Sequence, residues 1–436
     1  MDNQIIKGRN DSKVNKTQKA FLFIIQKAIR GDDRSPVTYP CCDDCSSIVT
    51  LASRHSILPL VVEHLLDADA ASPGSVSLPD RTVIDAARMK VIHQAQRTAD
   101  LGMLLSHLGK AELRPVIMKG AVCRELYPVP AARPSVDEDF LIPPDQAADY
   151  HRELTAYGFR TSLDDGAIAD ADEITYNSTE CRMCVEVHKY PFTRDQKAYA
   201  HLNDWLEGAY SRAEEVRCGR YSLLTLCPTD HLMYMLFHVY KHFLHGGFGI
   251  RQVCDIGLFS ERHIDKIDWD RVRSVCREAG IHRFCSALFA IAVRYLLGET
   301  PLTGVLDADA MASVDCLPLL EDIMDSGVYG TSTMSRMHSS TITLGAAEKA
   351  LKSRNGGGSG AAGLLRTVFP PISYMRGAYP FVRKSPLLLP VGWAVRIFKY
   401  LKEHRRTRKL KTGDSPARSV RIGRDRVELM KLYGIV

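Results

Sequence analysis

No apolar run in the 436-residue sequence approaches the roughly 20 residues that a bilayer-spanning helix needs. Met1–Lys19 is polar and charged, so it does not read as a secretion signal, and a cytoplasmic location is expected. There is no internal repeat, which excludes solenoid and propeller architectures. The 12 cysteines are irregularly spaced, which argues against a disulfide framework and for reduced thiols. Two Cys-x-x-Cys pairs exist, Cys42/Cys45 and Cys181/Cys184. On a strand, Cys181 and Cys184 would point to opposite faces, a poor arrangement for one zinc ion. The loop Gly246–Gly249 follows no strand and lacks the spaced lysine of a P-loop. The central region also lacks interleaved basic and aromatic residues, so nucleic acid is not the expected partner.

What is present is the composition of a globular protein of two or three domains, 45% hydrophobic and 25% charged. The net charge of +6 is unevenly placed. From Leu364 onward, 17 basic residues face 4 acidic ones, so the rest of the chain is net negative. Residues 1–17 are expected to be disordered. Helical spacing at Gln18–Ile29, Ser47–Leu66 and Arg81–Leu108 marks an N-terminal helical region, 18–108. An α/β core follows over 109–195, then a second helical region over 196–352. The stretch 353–363 (SRNGGGSGAAG) reads as a flexible linker, and 364–436 as a basic tail. In that tail an apolar run, Val391–Tyr400, precedes a basic one, Leu401–Lys411. Two readings stand: peripheral contact with an anionic membrane, or a helix docked on the body with a solvated basic face. Val427–Val436 is apolar enough to dock back.

The stretch around which the chain is organised is Arg114–Pro143, RPVIMKGAVCRELYPVPAARPSVDEDFLIP. A short apolar strand ends at Lys119-Gly120. A helical segment and a proline-rich turn follow, and a second strand then opens with Asp137 and Asp139. Strands are expected at about 115–118, 137–142, 172–178 and 181–188, forming a small mixed sheet. Period-two geometry puts both aspartates on one face. Such a pair occurs in solvated turns, but side by side and ionised it calls for a divalent cation. Glu186, between Val185 and Val187, would face the same side, with the valines turned to the core. Magnesium or manganese held this way clamps a triphosphate for in-line displacement.

These residues resemble the bacterial family of uncharacterised nucleotidyltransferases, a branch of the DNA polymerase beta-like superfamily. The likeness covers roughly 50–300 and is most specific at 114–142. It includes Glu186-Val187-His188, the helix start Pro228–Leu232, and Arg251–Asp255. The resemblance implies transfer of a nucleoside monophosphate from an NTP to a hydroxyl-bearing acceptor. That acceptor is a small molecule, saccharide, peptide or protein. By resemblance, Asp137, Asp139 and Glu186 bind Mg2+ or Mn2+, and Glu186 also acts as base. Lys119 contacts the triphosphate as a point charge, Gly120 allows its close approach, and Arg133 forks a phosphate. His188, His238, His242, Arg251 and Asp255 are implied to face the site. His231, His238, His242 and His245 share one helix face. For any one of them the bland reading is a buried, hydrogen-bonded histidine, and Arg251 and Asp255 are spaced to pair with each other. Two features differ from the superfamily. Its Gly-Ser is Lys119-Gly120 here, as in this branch. Glu138 replaces the usual aliphatic residue, so it must lie at an exposed strand end or find a partner. Glu138 favours a rival reading, a non-catalytic nucleotide-binding or scaffold protein that keeps the fold.

Overall fold

The computed structural model describes residues 14–31, 45–178, 180–181, 183–327, 334–354, 385–395 and 416–436, with the single positions 372, 375, 379 and 382. Helix α1 (Lys16–Arg30) opens with a reciprocal cap. Asn15 Oδ1 accepts the Gln18 N–H at 2.8 Å and Gln18 Oε1 accepts the Asn15 N–H at 3.1 Å. Its stripe of Phe21, Leu22, Ile24, Ile25, Ala28 and Ile29 is buried, as 3.6-residue spacing requires. Two helices, α2 (Cys45–Arg54) and α3 (Leu58–Ala71), stand where the periodicity suggests one. The break is at Ser56, with φ 54°, three residues before Pro59, which suits a first helical turn but not an interior. The long α4 (Arg81–Lys110) then delivers the chain to the sheet.

Six strands follow: β1 (Val116–Met118), β2 (Asp137–Leu141), β3 (Glu173–Asn177), β4 (Cys184–His188), β5 (Glu214–Cys218) and β6 (Tyr221–Thr225). They form one mixed sheet in the order β3-β4-β2-β1-β6-β5. β1 runs antiparallel to β2 and parallel to β6, and β2 runs parallel to β4. Short helices α5 (Gly120–Arg124), α6 (Ala147–Ala156) and α7 (Asp165–Ile168) connect the first strands. The architecture is the expected α/β one. The hairpin β5–β6 lies in the stretch read as helical and extends the sheet past β1.

Beyond the sheet stand α8 (Pro228–His245), α9 (Ile250–Arg262), α10 (Trp269–Glu278), α11 (His282–Ile291), α12 (Ala308–Ser313), α13 (Leu317–Ser326) and α14 (Met334–Arg354). α8 is buried from Pro228 to Tyr240 and packs against α9, α10 and α14. The C-terminal helix Pro416–Leu432 lies along α14. Tyr433 fixes its end: the hydroxyl donates to Asp315 O at 2.9 Å and accepts the Leu319 N–H at 3.1 Å. The last residues of the basic tail therefore dock on the body, with Met430, Tyr433 and Ile435 buried. The expected disorder of residues 1–17 falls mostly outside the described residues, as do 355–363 of the linker and the basic run 401–411. Ser353 belongs to α14. Among the described residues, no helix is long and apolar enough to cross a membrane.

Candidate active site

Register builds the site. Parallel pairing of β2 with β4 sets Asp139 opposite Glu186 and Asp137 opposite Cys184. Antiparallel pairing of β4 with β3 adds Thr175 beside Glu186 and Glu173 beside His188. Because side chains alternate, Asp137, Asp139, Glu186, His188 and Glu173 share one face. Val185 and Val187 are buried on the other, with Glu138 and Phe140. His188 Nε2 lies 3.3 Å from Asp139 Oδ1 and 3.8 Å from Glu186 Oε2. Asp139, Glu186 and His188 can each offer a ligand atom within 4.8 Å of the others. Asp137 stands beside them at the open edge, its side chain 35% exposed against 2% for Asp139.

Lys119 closes the set from above. Its Nζ lies 3.0 Å from Asp139 Oδ2, 4.0 Å from Asp137 Oδ2 and 3.0 Å from His238 Nε2. The contact with Asp139 is an ion pair without hydrogen-bond alignment, so Oδ2 has no aligned donor. The backbone of Lys119 takes φ 53°, uncommon for a residue with a side chain. Such strain costs about 1–3 kcal/mol and persists only when surroundings hold it. Here α8 holds it: the Lys119 N–H donates to His231 Nε2 at 3.0 Å.

The other faces of the α8 histidines explain their number. His231 is buried and its basicity falls to about 3, from burial and then the charge of His263. That keeps Nε2 free to accept the Lys119 N–H. Burial and Lys119 hold His238 and His242 well below the ordinary histidine range. Their Nε2 atoms are 3.2 Å apart. His245 instead contacts the Tyr199 hydroxyl at 3.1 Å. Lys241, on the same helix, lies 3.6 Å from Glu173 Oε2.

Positive charge is unevenly shared among the acids. Burial raises the Asp137 carboxyl, but Lys119 and Arg251 outweigh it and hold it below the usual range. For Glu186 the relieving charge of His188 is outweighed. Burial, then Asp139, Asp137 and Glu173, push it up to about 7. His188 is held above its ordinary value against burial, by its hydrogen bond to Asp139 and by Glu173. Three carboxylates in reach, one acid forced toward its neutral form and an unaligned buried oxygen suit a hard divalent cation.

Two expectations, one from the resemblance and one from spacing, meet other partners. Arg133 is not turned to the acids: Nε and Nη2 fork Asp255 at 2.8 and 2.6 Å, in a pair buried on both sides. Asp255 also accepts the Tyr127 hydroxyl at 2.7 Å. Arg251 consequently does not pair with Asp255; it donates to Pro134 O, and its charge acts on Asp137. Glu138 does find a partner. Its carboxylate takes Arg124 Nη1 at 2.6 Å and the Ala121 N–H at 3.0 Å. A Cβ on Gly120, with φ 38°, would run into that carboxylate. Gly120 thus serves the tight turn and Glu138 as well as any ligand. Cys184 lies on the site face and Cys181 outside β4, while Cys42 is outside the described residues.

Sequence reasoning missed Glu173 and Lys241. The signal was there: Glu173 opens the strand that pairs with the Glu-Val-His segment, and Lys241 stands three residues after His238. No curated protein and no solved structure matches the chain. The family model described as uncharacterised nucleotidyltransferase matches residues 42–296, more than half of the 436 residues, and the chain belongs to that family.

Proposed function

We propose that the protein transfers a nucleoside monophosphate from an NTP to a hydroxyl-bearing acceptor, releasing pyrophosphate, with Mg2+ or Mn2+ at Asp137, Asp139 and Glu186. The observation that carries this reading is the register of β2 and β4, which stands Asp139 beside Glu186 with Asp137 two residues away. Family membership supports a nucleotidyltransferase. His188 adds a nitrogen donor within reach of the same cation. A bound divalent cation would neutralise charge on the reacting phosphate and orient it. Glu186, a carboxylate beside that cation, accepts the proton of the acceptor hydroxyl. Lys119, Arg251 and Lys241 supply positive charge for the triphosphate. Arg133, committed to Asp255, positions the turn before β2 instead.

The test is thermal unfolding with and without Mg2+ and each of the four NTPs. A ligand that binds only the folded state raises the melting temperature by mass action. The reading expects a shift that needs cation and nucleotide together and vanishes in Asp137→Asn/Asp139→Asn. An unchanged shift in that double variant would place the metal elsewhere. A second reading, a non-catalytic nucleotide-binding or scaffold protein, rests on one observation: Lys119 already pairs with Asp139. Nucleotide binding without pyrophosphate release under any acceptor would favour it.

A further inference from the structure

The position of Lys119 raises a question of its own. A divalent cation on Asp139 would sit about 2.1 Å from a carboxylate oxygen. With Nζ 3.0 Å from that carboxylate's Oδ2, the two cations would be close neighbours, and Coulomb repulsion is steep at such separations in a half-buried site. Cation and ammonium therefore compete for the same carboxylate. Lys119 also has somewhere to go. Its stem is flexible, its Nζ retains His238 Nε2 at 3.0 Å, and the side chain is 19% exposed rather than sealed. Its backbone is pinned at His231, so only the side chain needs to move.

We propose that Lys119 is a displaceable internal counter-ion: it neutralises Asp139 and Asp137 until nucleotide arrives, then yields them to the divalent cation and transfers its charge to the triphosphate. This rests on the nucleotidyltransferase reading above and adds an order to it. Free cation binds weakly because it must evict an ammonium ion. Triphosphate gives that ammonium a new partner, so nucleotide and cation each strengthen the binding of the other, as linkage requires. The device keeps the carboxylates from being left bare between turnovers, and it disfavours an idle metal centre.

Mn2+ binding followed by electron paramagnetic resonance tests this on the full chain, using wild type, Lys119→Met, and Asp139→Asn as the reference for Mn2+ complexed in solution. Without triphosphate, Lys119→Met should bind Mn2+ about tenfold or more tightly than wild type. With inorganic tripolyphosphate, wild type should gain more Mn2+ affinity than Lys119→Met does. A lysine with a purely structural role predicts the opposite sign, because removing it would only weaken the site. Should Lys119→Met not fold, Lys119→Gln removes the charge while keeping a donor toward Asp139, and carries the same expectation. Unchanged or weaker Mn2+ affinity in the folded, triphosphate-free variant overturns the inference alone. Failure of wild type to bind Mn2+ even with tripolyphosphate overturns the metal reading and this inference together.

Discussion

Glu138 and Asp139 are neighbours on one strand and live in opposite worlds. On the back of the sheet, Glu138 is buried with a matched guanidinium and a backbone donor. On the front, Asp139 shares Lys119 and His188 with three further carboxylates, Asp137, Glu186 and Glu173. The back is matched in charge, so removing either partner leaves a buried charge unpaired. The front crowds its acids together, and burial with Asp139, Asp137 and Glu173 forces Glu186 toward protonation. A fold places its acids like Glu138; a site leaves them like Glu186.

The contrast can be broken from either side. The largest effect should come from the front. Glu186→Gln should lose about two to four orders of magnitude in turnover, measured as pyrophosphate release. It should keep the wild-type melting temperature or exceed it, since it relieves repulsion. Breaking the back should do the reverse. Arg124→Met strands the Glu138 carboxylate and should cost about 3–5 kcal/mol in denaturant unfolding. A back-face variant that unfolds no more easily than wild type would remove the distinction.

A smaller effect concerns acid. His55 and His231 are buried, and burial is the main reason that both fall to about 3 from 6.5. The folded state then binds fewer protons than the unfolded state below pH 6.5. Stability is complete above that pH and falls as pH drops toward 3. At pH 5 each histidine should cost about 2 kcal/mol, read as a falling denaturation midpoint between pH 7 and pH 5. Glu186, raised to about 7, contributes stability as pH falls over the same range and offsets part of the fall. A midpoint that does not fall at all would mean that the two rings are not held neutral.

Much of the site was legible because it rests on period two. An acid between valines can satisfy core and cleft only one way, and the paired aspartates follow the same rule. What stayed hidden depends on partners far away in sequence. Arg133 sits four residues before Asp137, yet Asp255, 122 residues on, engages it. The i,i+4 spacing of Arg251 and Asp255 suggested a pair, but Asp255 points inward to the turn. The hairpin β5–β6 was obscured because β5, Glu-Glu-Val-Arg-Cys, is an edge strand largely exposed, without apolar alternation. Its one local cue is the two-residue turn Gly219-Arg220 between the paired Cys218 and Tyr221. β6 earns its place by pairing with β1, a contact that no local pattern announces.

The central claim is that the front face is a cation site completed by nucleotide. Anomalous diffraction from crystals grown with Mn2+ and a non-hydrolysable triphosphate tests it most directly. The account predicts a peak about 2.1 Å from carboxylate oxygens of Asp139 and Glu186, with the Lys119 ammonium moved off Asp139 onto phosphate. Triphosphate bound with no peak among these carboxylates, and Lys119 still on Asp139, would contradict it.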